Sequence, residues 1–255
     1  MTSLNKVGSN RAARFIMGKK VTVRIKGTYL VTGEDNKKHT VNCGTVYLEN
    51  DSPDRAAFVV GVEETLAEYT GEIIAIIKNK ETKKDAWVIA PCGMILYEPA
   101  LSVLLAAFID PAASSFVCLY EKSCGAVLYT EEDGVRQFLL IKNMSGHIGF
   151  PKGHMELHET EKQTAQREVW EETGIHAQLL DGFREFYNYS VNSFVRKQAV
   201  YFTAGFLKKD IEMDIREISE YRIVTFDEGM KVLNYPHDRS VLAKANKFIS
   251  SHSTN

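Results

Sequence analysis

The sequence predicts two domains, a small β-barrel over residues 1–111 followed by a mixed α/β domain over residues 112–255. Three observations lead there. The first ~95 residues hold several short runs rich in Val, Ile, Thr and aromatics with turn clusters between them, the pattern of a small barrel. After Asp110-Pro111 the pattern changes to strands alternating with helices. The length of 255 residues, at ~150 per domain, leaves room for one to two domains with a core in each.

In the first part the strand signals are Val21–Ile25, Val41–Leu48, Ala56–Val62, Ile73–Lys78 and Ala86–Ala90. Gly33-Glu34-Asp35-Asn36 and Asn50-Asp51-Ser52-Pro53-Asp54 supply turn chemistry between them. Tyr97–Ile109 reads as a buried helix stopped by Asp110-Pro111, and Asp110–Ser115 as the domain boundary. In the second part Gly125–Tyr129 and Gln137–Lys142 read as a hairpin closed over Glu131-Glu132-Asp133-Gly134. A loop with Gly146, Gly149, Pro151 and Gly153 leads to a helix over Thr160–Thr173. Strands follow at Ala199–Phe206 and Tyr221–Thr225, and a last helix at Ser240–Ile249.

Composition narrows the class. There are 31 Lys+Arg against 33 Asp+Glu, a net charge of −2, with 44% hydrophobic and 10% aromatic residues, which excludes collagen-like, mucin-like and disordered chains. Balanced charge removes the simplest reason to expect a nucleic-acid partner. Cys43, Cys92, Cys118 and Cys124 match no zinc spacing and are too sparse for a disulfide scaffold, so reduced thiols are expected. The longest apolar stretch, 100–109, is about half of a membrane span. Residues 1–26 carry seven Lys/Arg and no acid. They run into a strand without an apolar signal core, so a basic arm on a cytoplasmic protein is expected rather than a targeting peptide.

The chemistry concentrates in Gly153-His-Met-Glu-Leu-His-Glu159, seven further residues, then Arg167-Glu168-Val169-Trp170-Glu171-Glu172-Thr173-Gly174-Ile175. Thr160 with Gln163 forms a capping-box signature, and Gly174 a C-terminal stop. Between them Glu168, Glu171 and Glu172 fall at i, i+3 and i+4, on one helix face. Three adjacent anions repel unless a cation sits among them, and hard oxygen ligands suit Mg2+ or Mn2+. Arg167, four residues before Glu171, can restrain it, and Ala165 with Val169 forms the packing face.

The whole string resembles the Nudix box, G-x5-E-x7-R-E-U-x-E-E-x-G-U with U a bulky aliphatic, at all nine specified positions. Chance gives such a match on the order of 10⁻⁷ of the time. The resemblance implies a Nudix hydrolase fold over about Cys118–Ile249, a mixed sheet between helices, in which metals clamp a phosphoanhydride that water attacks. It implies Glu168, Glu171, Glu172 and the Gly153 carbonyl as metal ligands, Glu159 and Arg167 as helix-orienting groups, and Glu168 or Glu217 as the base.

The flanks are similar to the asymmetrical diadenosine tetraphosphate hydrolases: Phe150-Pro151-Lys152-Gly153-His154, Phe183-Arg184-Glu185, Asn188-Tyr189, and Lys197 with Tyr201-Phe202. Ile148 stands where that family usually has Trp. This resemblance implies a dinucleoside polyphosphate split into ATP and AMP. Lys152, Lys197 and Tyr201 would contact the phosphate chain, His154 would approach the substrate, and Tyr189 would stack on an adenine.

The first part, over about residues 18–108, looks like a small form of the family I inorganic pyrophosphatases, an OB-like β-barrel. The resemblance rests on Gly18-Lys-Lys-Val-Thr-Val, Phe58-Val-Val-Gly61, Tyr69-Thr-Gly71-Glu-Ile-Ile-Ala-Ile-Ile-Lys78 and Trp87-Val-Ile-Ala-Pro91. Asn42-Cys43-Gly44-Thr45 replaces the family's N-Y-G-Y, and Ala56 stands where an aspartate is placed. Asp51, Asp54 and Asp85 are too few to hold a metal cluster. The expectation is a non-catalytic domain serving in homodimerisation, substrate shaping or regulator binding, with a residual pyrophosphatase as the alternative. The alternatives for the whole chain are a Nudix enzyme acting on RNA 5′ ends, nucleotide sugars or alarmones, and a nucleotide sensor without turnover.

Overall fold

β4 carries the first unit's longest buried run, Gly71–Ile77, and every other strand of that unit is arranged around it. The computed structural model describes residues 16–46, 55–192, 194–213 and 216–252. The strands are β1 (Lys20–Thr32), β2 (Lys38–Val46), β3 (Arg55–Val60), β4 (Glu68–Asn79) and β5 (Asp85–Ala90), followed by helix α1 (Glu98–Leu105) and β6 (Ser114–Cys118). They pair in the order β1-β2-β3-β5-β4-β6, and β1 also pairs β4, from Lys20↔Glu72 to Arg24↔Glu68. The first five strands therefore follow one another in a closed cycle, with β3 and β5 parallel. At 13 residues β1 is long enough to serve both neighbours, and an irregularity at Ile25/Gly27 turns it from one to the other. Val23, Val41, Val59, Ile73, Ile76, Val88, Leu101 and Leu105 form its core. The predicted strands are all present except that residues 47–54, including Asp51 and Asp54, lie outside the described residues, as do residues 1–15 of the basic arm.

The chain divides into two compact units, one taking the described residues up to Glu121 with those of 190–197, the other taking 122–189 and 198–252. The division lies ten residues beyond the expected boundary at 111/112. The reason is β6: Ser114–Cys118 pairs with β4 from Asn79↔Ser114 to Ala75↔Cys118, so a segment read as linker completes the first sheet. Arg196 N–H donates to the Leu119 carbonyl at 2.8 Å, which ties the short 190–197 segment to the same unit.

The second unit is built on β7 (Tyr120–Glu132), β8 (Val135–Asn143), β9 (Ile148–Gly149), β10 (Lys152–His154), β11 (Glu185–Asn192), β12 (Val195–Gly205) and β13 (Ile218–Thr225). Its helices are α2 (Glu161–Thr173), α3 (Phe226–Val232) and α4 (Pro236–His252). The sheet runs β11-β12-β7-β8-β13, with β10 on β7 and β9 on β8. The β7–β8 hairpin closes over Asp133-Gly134 alone, both at positive φ (50° and 76°), the two-residue turn whose twist matches paired strands.

Strand alternation assigns the two faces. Phe138 and Leu140 of β8 join Val127, Tyr201 and the α4 residues Val241, Leu242 and Ala245 in one cluster. Leu139 instead joins Leu128, Ala126 and Val169 of α2 in another. The sheet is thus covered by α4 on one side and by α2 on the other, the α/β layering expected. Among the described residues no helix is long and apolar enough to cross a membrane.

Candidate active site

The helix of the motif begins and ends as its caps dictate. Thr160 Oγ1 accepts from Gln163 N–H at 3.3 Å while Gln163 Oε1 accepts from Thr160 N–H at 2.8 Å, the reciprocal capping box. Gly174 closes α2 in the left-handed conformation, its N–H on the Trp170 carbonyl. Ala165 and Val169 are fully buried against the sheet, which leaves Glu168 and Glu172 at the buried margin and Glu171 exposed.

Arg167 organises this margin. Its guanidinium donates to both oxygens of Glu159 (2.6 and 2.9 Å), to Glu168 Oε1 (2.7 Å), to Glu171 Oε2 (2.9 Å) and to the His154 carbonyl (2.8 Å). Paired in this way, with further donors from Thr164 Oγ1 and the Glu156 N–H, Glu159 is held down to about 2. Arg167 is correspondingly raised, chiefly by Glu159. The expected orienting pair is therefore one fork of charge-assisted bonds.

Glu168 and Glu172 sit differently. Burial raises both above the ordinary carboxylate range, Glu172 to about 8, against the Lys152 N–H it accepts at 2.8 Å. Glu168 and Glu217 add to the shift of Glu172, so Glu217, although on a distant loop, acts on the same site. Gly153 faces Glu168 so closely that a β-carbon there would lie 2.0 Å from Oε2. Lys152, Gly153 and His154 reach this position because β10 is hydrogen-bonded to β7, Lys152↔Gly125 through His154↔Ser123.

Two carboxylates pressed out of water beside a third, under a glycine that leaves them room, are a donor set that suits a hard divalent cation. Among the described residues no three His, Cys, Asp or Glu side chains converge on one point. The physical reason is Arg167, whose guanidinium lies between Glu168 and Glu171 and draws an oxygen of each. The carboxylates fit the cation by chemistry and neighbourhood; Glu168 and Glu171 turn an oxygen to the arginine, while Glu172 accepts from the Lys152 N–H.

A second cluster lies on the α4 side of the sheet. Tyr187 packs on His237 at 4.2 Å between ring centroids, and Tyr235 stacks on His237 at 5.6 Å and 6°. Tyr189 stacks on the same imidazole at 5.9 Å, and His147 lies 5.2 Å from Tyr235. Beneath them Tyr187 OH donates to buried Asp238 at 2.8 Å. Burial and the Asp238 charge hold the Tyr187 hydroxyl well above its ordinary range. Lys152 is tied to the carboxylates through its backbone, the N–H that Glu172 accepts at 2.8 Å.

Of the substrate contacts expected from the sequence, Tyr189 stands in this ring cluster and Lys152 and His154 beside the carboxylates. Tyr201 does not stand on a substrate surface: it is fully buried, edge-on to Phe150 at 5.5 Å, with its hydroxyl 3.4 Å from that of Tyr187. It shares a face of β12 with Ala199, and that face packs into the α4-side core. Lys197 is half-buried and falls in the short segment grouped with the first unit. His147, Tyr187, Tyr235, His237 and Asp238 were not singled out from sequence. The available signal is Tyr235-Pro-His-Asp238 at the start of a helix, where three polar or aromatic groups crowd one turn. In the first unit Asp85 is engaged by Lys78.

A model of the NUDIX domain matches residues 119–245. A bis(5′-nucleosyl)-tetraphosphatase (asymmetrical) from Sus scrofa is 31% identical over 142 residues, 51% of this chain and 96% of that protein. Its counterpart from Rattus norvegicus is 29% identical over the same shares. A solved structure of a C. elegans Ap4A hydrolase binary complex is 26% identical, covering 51% of this chain and 98% of that one, with a TM-score of 0.49.

Proposed function

Because the chain belongs to the Nudix family and is a hydrolase of pyrophosphate bonds, we propose that its substrate is a dinucleoside polyphosphate, foremost diadenosine tetraphosphate cut to ATP and AMP. The observation that carries the substrate is the presence in one unit of a carboxylate margin, with Lys152 on it through the N–H that Glu172 accepts at 2.8 Å, and of a cluster of stacked rings, Tyr189, Tyr235 and His237. A phosphate chain running from a base among Tyr189, Tyr235 and His237 to the carboxylates would pass the Lys152 ammonium, a suitable point charge. The name shared by the curated relatives points the same way.

In this reading Glu168, Glu171 and Glu172, with the Gly153 carbonyl, hold Mg2+ or Mn2+. The chemistry such a cation supplies is charge neutralisation on phosphate oxygens and activation of water. Arg167 and Glu159 hold the carboxylates in register, and Lys152 with His154 binds the phosphates. Glu168 or Glu217 takes the proton from the attacking water. The first unit serves as a non-catalytic barrel, in dimerisation, substrate shaping or regulator binding, and the reaction belongs to the cytoplasm.

Chromatography of the products formed from diadenosine tetraphosphate with Mg2+ tests the assignment. ATP and AMP in equal amounts are expected. Two equivalents of ADP, or no turnover while a nucleotide sugar or capped RNA is consumed, would overturn it. Tyr235→Ala should raise KM about tenfold or more and leave kcat within threefold, the loss of one base-stacking contact.

A further inference from the structure

The outward side of α2 bears a groove that the hydrolytic site does not use. It encloses about 950 Å³ and is lined by Trp170, His176, Lys209, Asp210 and Glu212 among others. Trp170 is 49% exposed on a helix whose other outward residues are polar, which leaves indole surface open to the groove. Its ring stacks on His176 at 5.9 Å and 21°, which makes a flat platform of two rings.

The backbone that carries the acids of the groove is anchored. Glu212 N–H donates to the Thr173 carbonyl at 2.8 Å at the end of α2, and Glu212 packs on Gly174. Asp210 ends a short 3-10 turn (Lys208–Asp210), its N–H on the Leu207 carbonyl at 2.9 Å. The groove floor, Ile175 and Phe206, belongs to the α2-side core, whereas Tyr187, Tyr189 and Tyr201 belong with the α4 side. The two ring clusters therefore rest on opposite faces of the sheet.

We propose that this groove is a second, non-catalytic site for a nucleoside. The base stacks on the exposed indole face, where any planar heteroaromatic ring finds a π-surface. The ribose hydroxyls donate to the Asp210 and Glu212 carboxylates, the acid-to-diol pairing that suits a sugar. Among the described lining residues two carboxylates stand against one lysine, Lys209, which disfavours a phosphate and selects the uncharged nucleoside. The volume lies within the range of small-molecule sites.

The chain has two tryptophans; Trp87 is buried in the first unit, so a change in exposed indole emission reads Trp170. Adenosine is titrated into the full chain in EDTA, with excitation at the red edge of indole absorption. A saturable change is expected. Asp210→Asn with Glu212→Gln should weaken it at least fivefold, and Tyr235→Ala should leave its midpoint within twofold. Both acids are on the surface, and should the double variant fail to fold, each single variant must still weaken binding at least twofold. Absence of a saturable change up to millimolar adenosine overturns the proposal. So does a change abolished by Tyr235→Ala and untouched by the acid variants, which would assign the signal to the ring cluster on the other face.

Discussion

Gly153 and Glu168 touch: the glycine Cα lies under the glutamate carboxylate, and a β-carbon would sit 2.0, 2.1 and 2.2 Å from its Oε2, Cδ and Oε1. The obstructed group is the far end of a flexible side chain, so Gly153→Ala is accommodated by rotating Glu168 away. The variant should melt within a few degrees of the parent, because little core is disturbed. Its kcat/KM should fall ~100-fold, the usual cost of displacing a functional group by about 1 Å. Parallel melting curves and nucleotide hydrolysis assays separate the two effects; full activity would mean that the position of Glu168 is immaterial.

Arg167→Lys keeps the charge and loses the fork. A lysine reaches one acceptor where the guanidinium meets Glu159, Glu168, Glu171 and the His154 carbonyl. Glu159 is only 17% exposed, so leaving it partly unpaired should destabilise the protein by about 1–3 kcal/mol. Activity should fall with it, and Arg167→Ala should be worse on both measures. A lysine variant with unchanged Tm and kcat would show that the fork positions nothing.

How far the sequence foretold this arrangement depends on the range of each interaction. α2, its capping box and its Gly174 stop are local events within 15 residues, and they were readable from Thr160, Gln163 and Gly174. The Arg167–Glu171 contact is one helical turn and was equally readable. Lys152 on Glu172 needed the register of β10 on β7, which no short window contains. β11 was missed because Glu185–Asn192 faces solvent at every second residue and carries Asn and Ser among its tyrosines, so its alternation reads as loop. With β11 went Tyr187, and with Tyr187 its bond to Asp238, 51 residues away. Tyr201 shows the converse error: a family resemblance placed it on the substrate, while its neighbours Val200 and Phe202 already marked a strand buried on both faces.

Divalent cation should stabilise the protein through the box carboxylates. Burial raises Glu172 to about 8, so the side chain gains from a cation that replaces its lost hydration. Millimolar Mg2+ should raise Tm by a few degrees in the parent, a linkage effect that grows with the logarithm of concentration. Glu172→Gln should abolish that increment and lower kcat by a factor of roughly 10³ or more. Chelation with EDTA should return the parent to the melting point of its metal-free form. A Glu172→Gln protein that still gains the full increment would move the cation away from this helix.

The acid limb of stability should pass through Glu161 at the start of α2. Its carboxylate takes Arg184 Nε and Nη2 at 2.7 and 2.9 Å and Lys122 Nζ at 2.7 Å, and is held down to about 2, chiefly by Arg184. A carboxyl whose folded value lies below its unfolded value of about 4.5 contributes stability above 4.5. That contribution is lost as pH falls from there toward 2, where the folded protein must also take up the proton. With Glu161 21% exposed, solvent screening leaves about 1–2 kcal/mol at neutral pH. Glu161→Gln should therefore melt lower than the parent at pH 7, and the gap should narrow as both are titrated from about pH 5 toward pH 2. Paired denaturation curves across that range measure it. A gap that stays constant would assign the cost of the substitution to packing at the helix start and not to the ion triad.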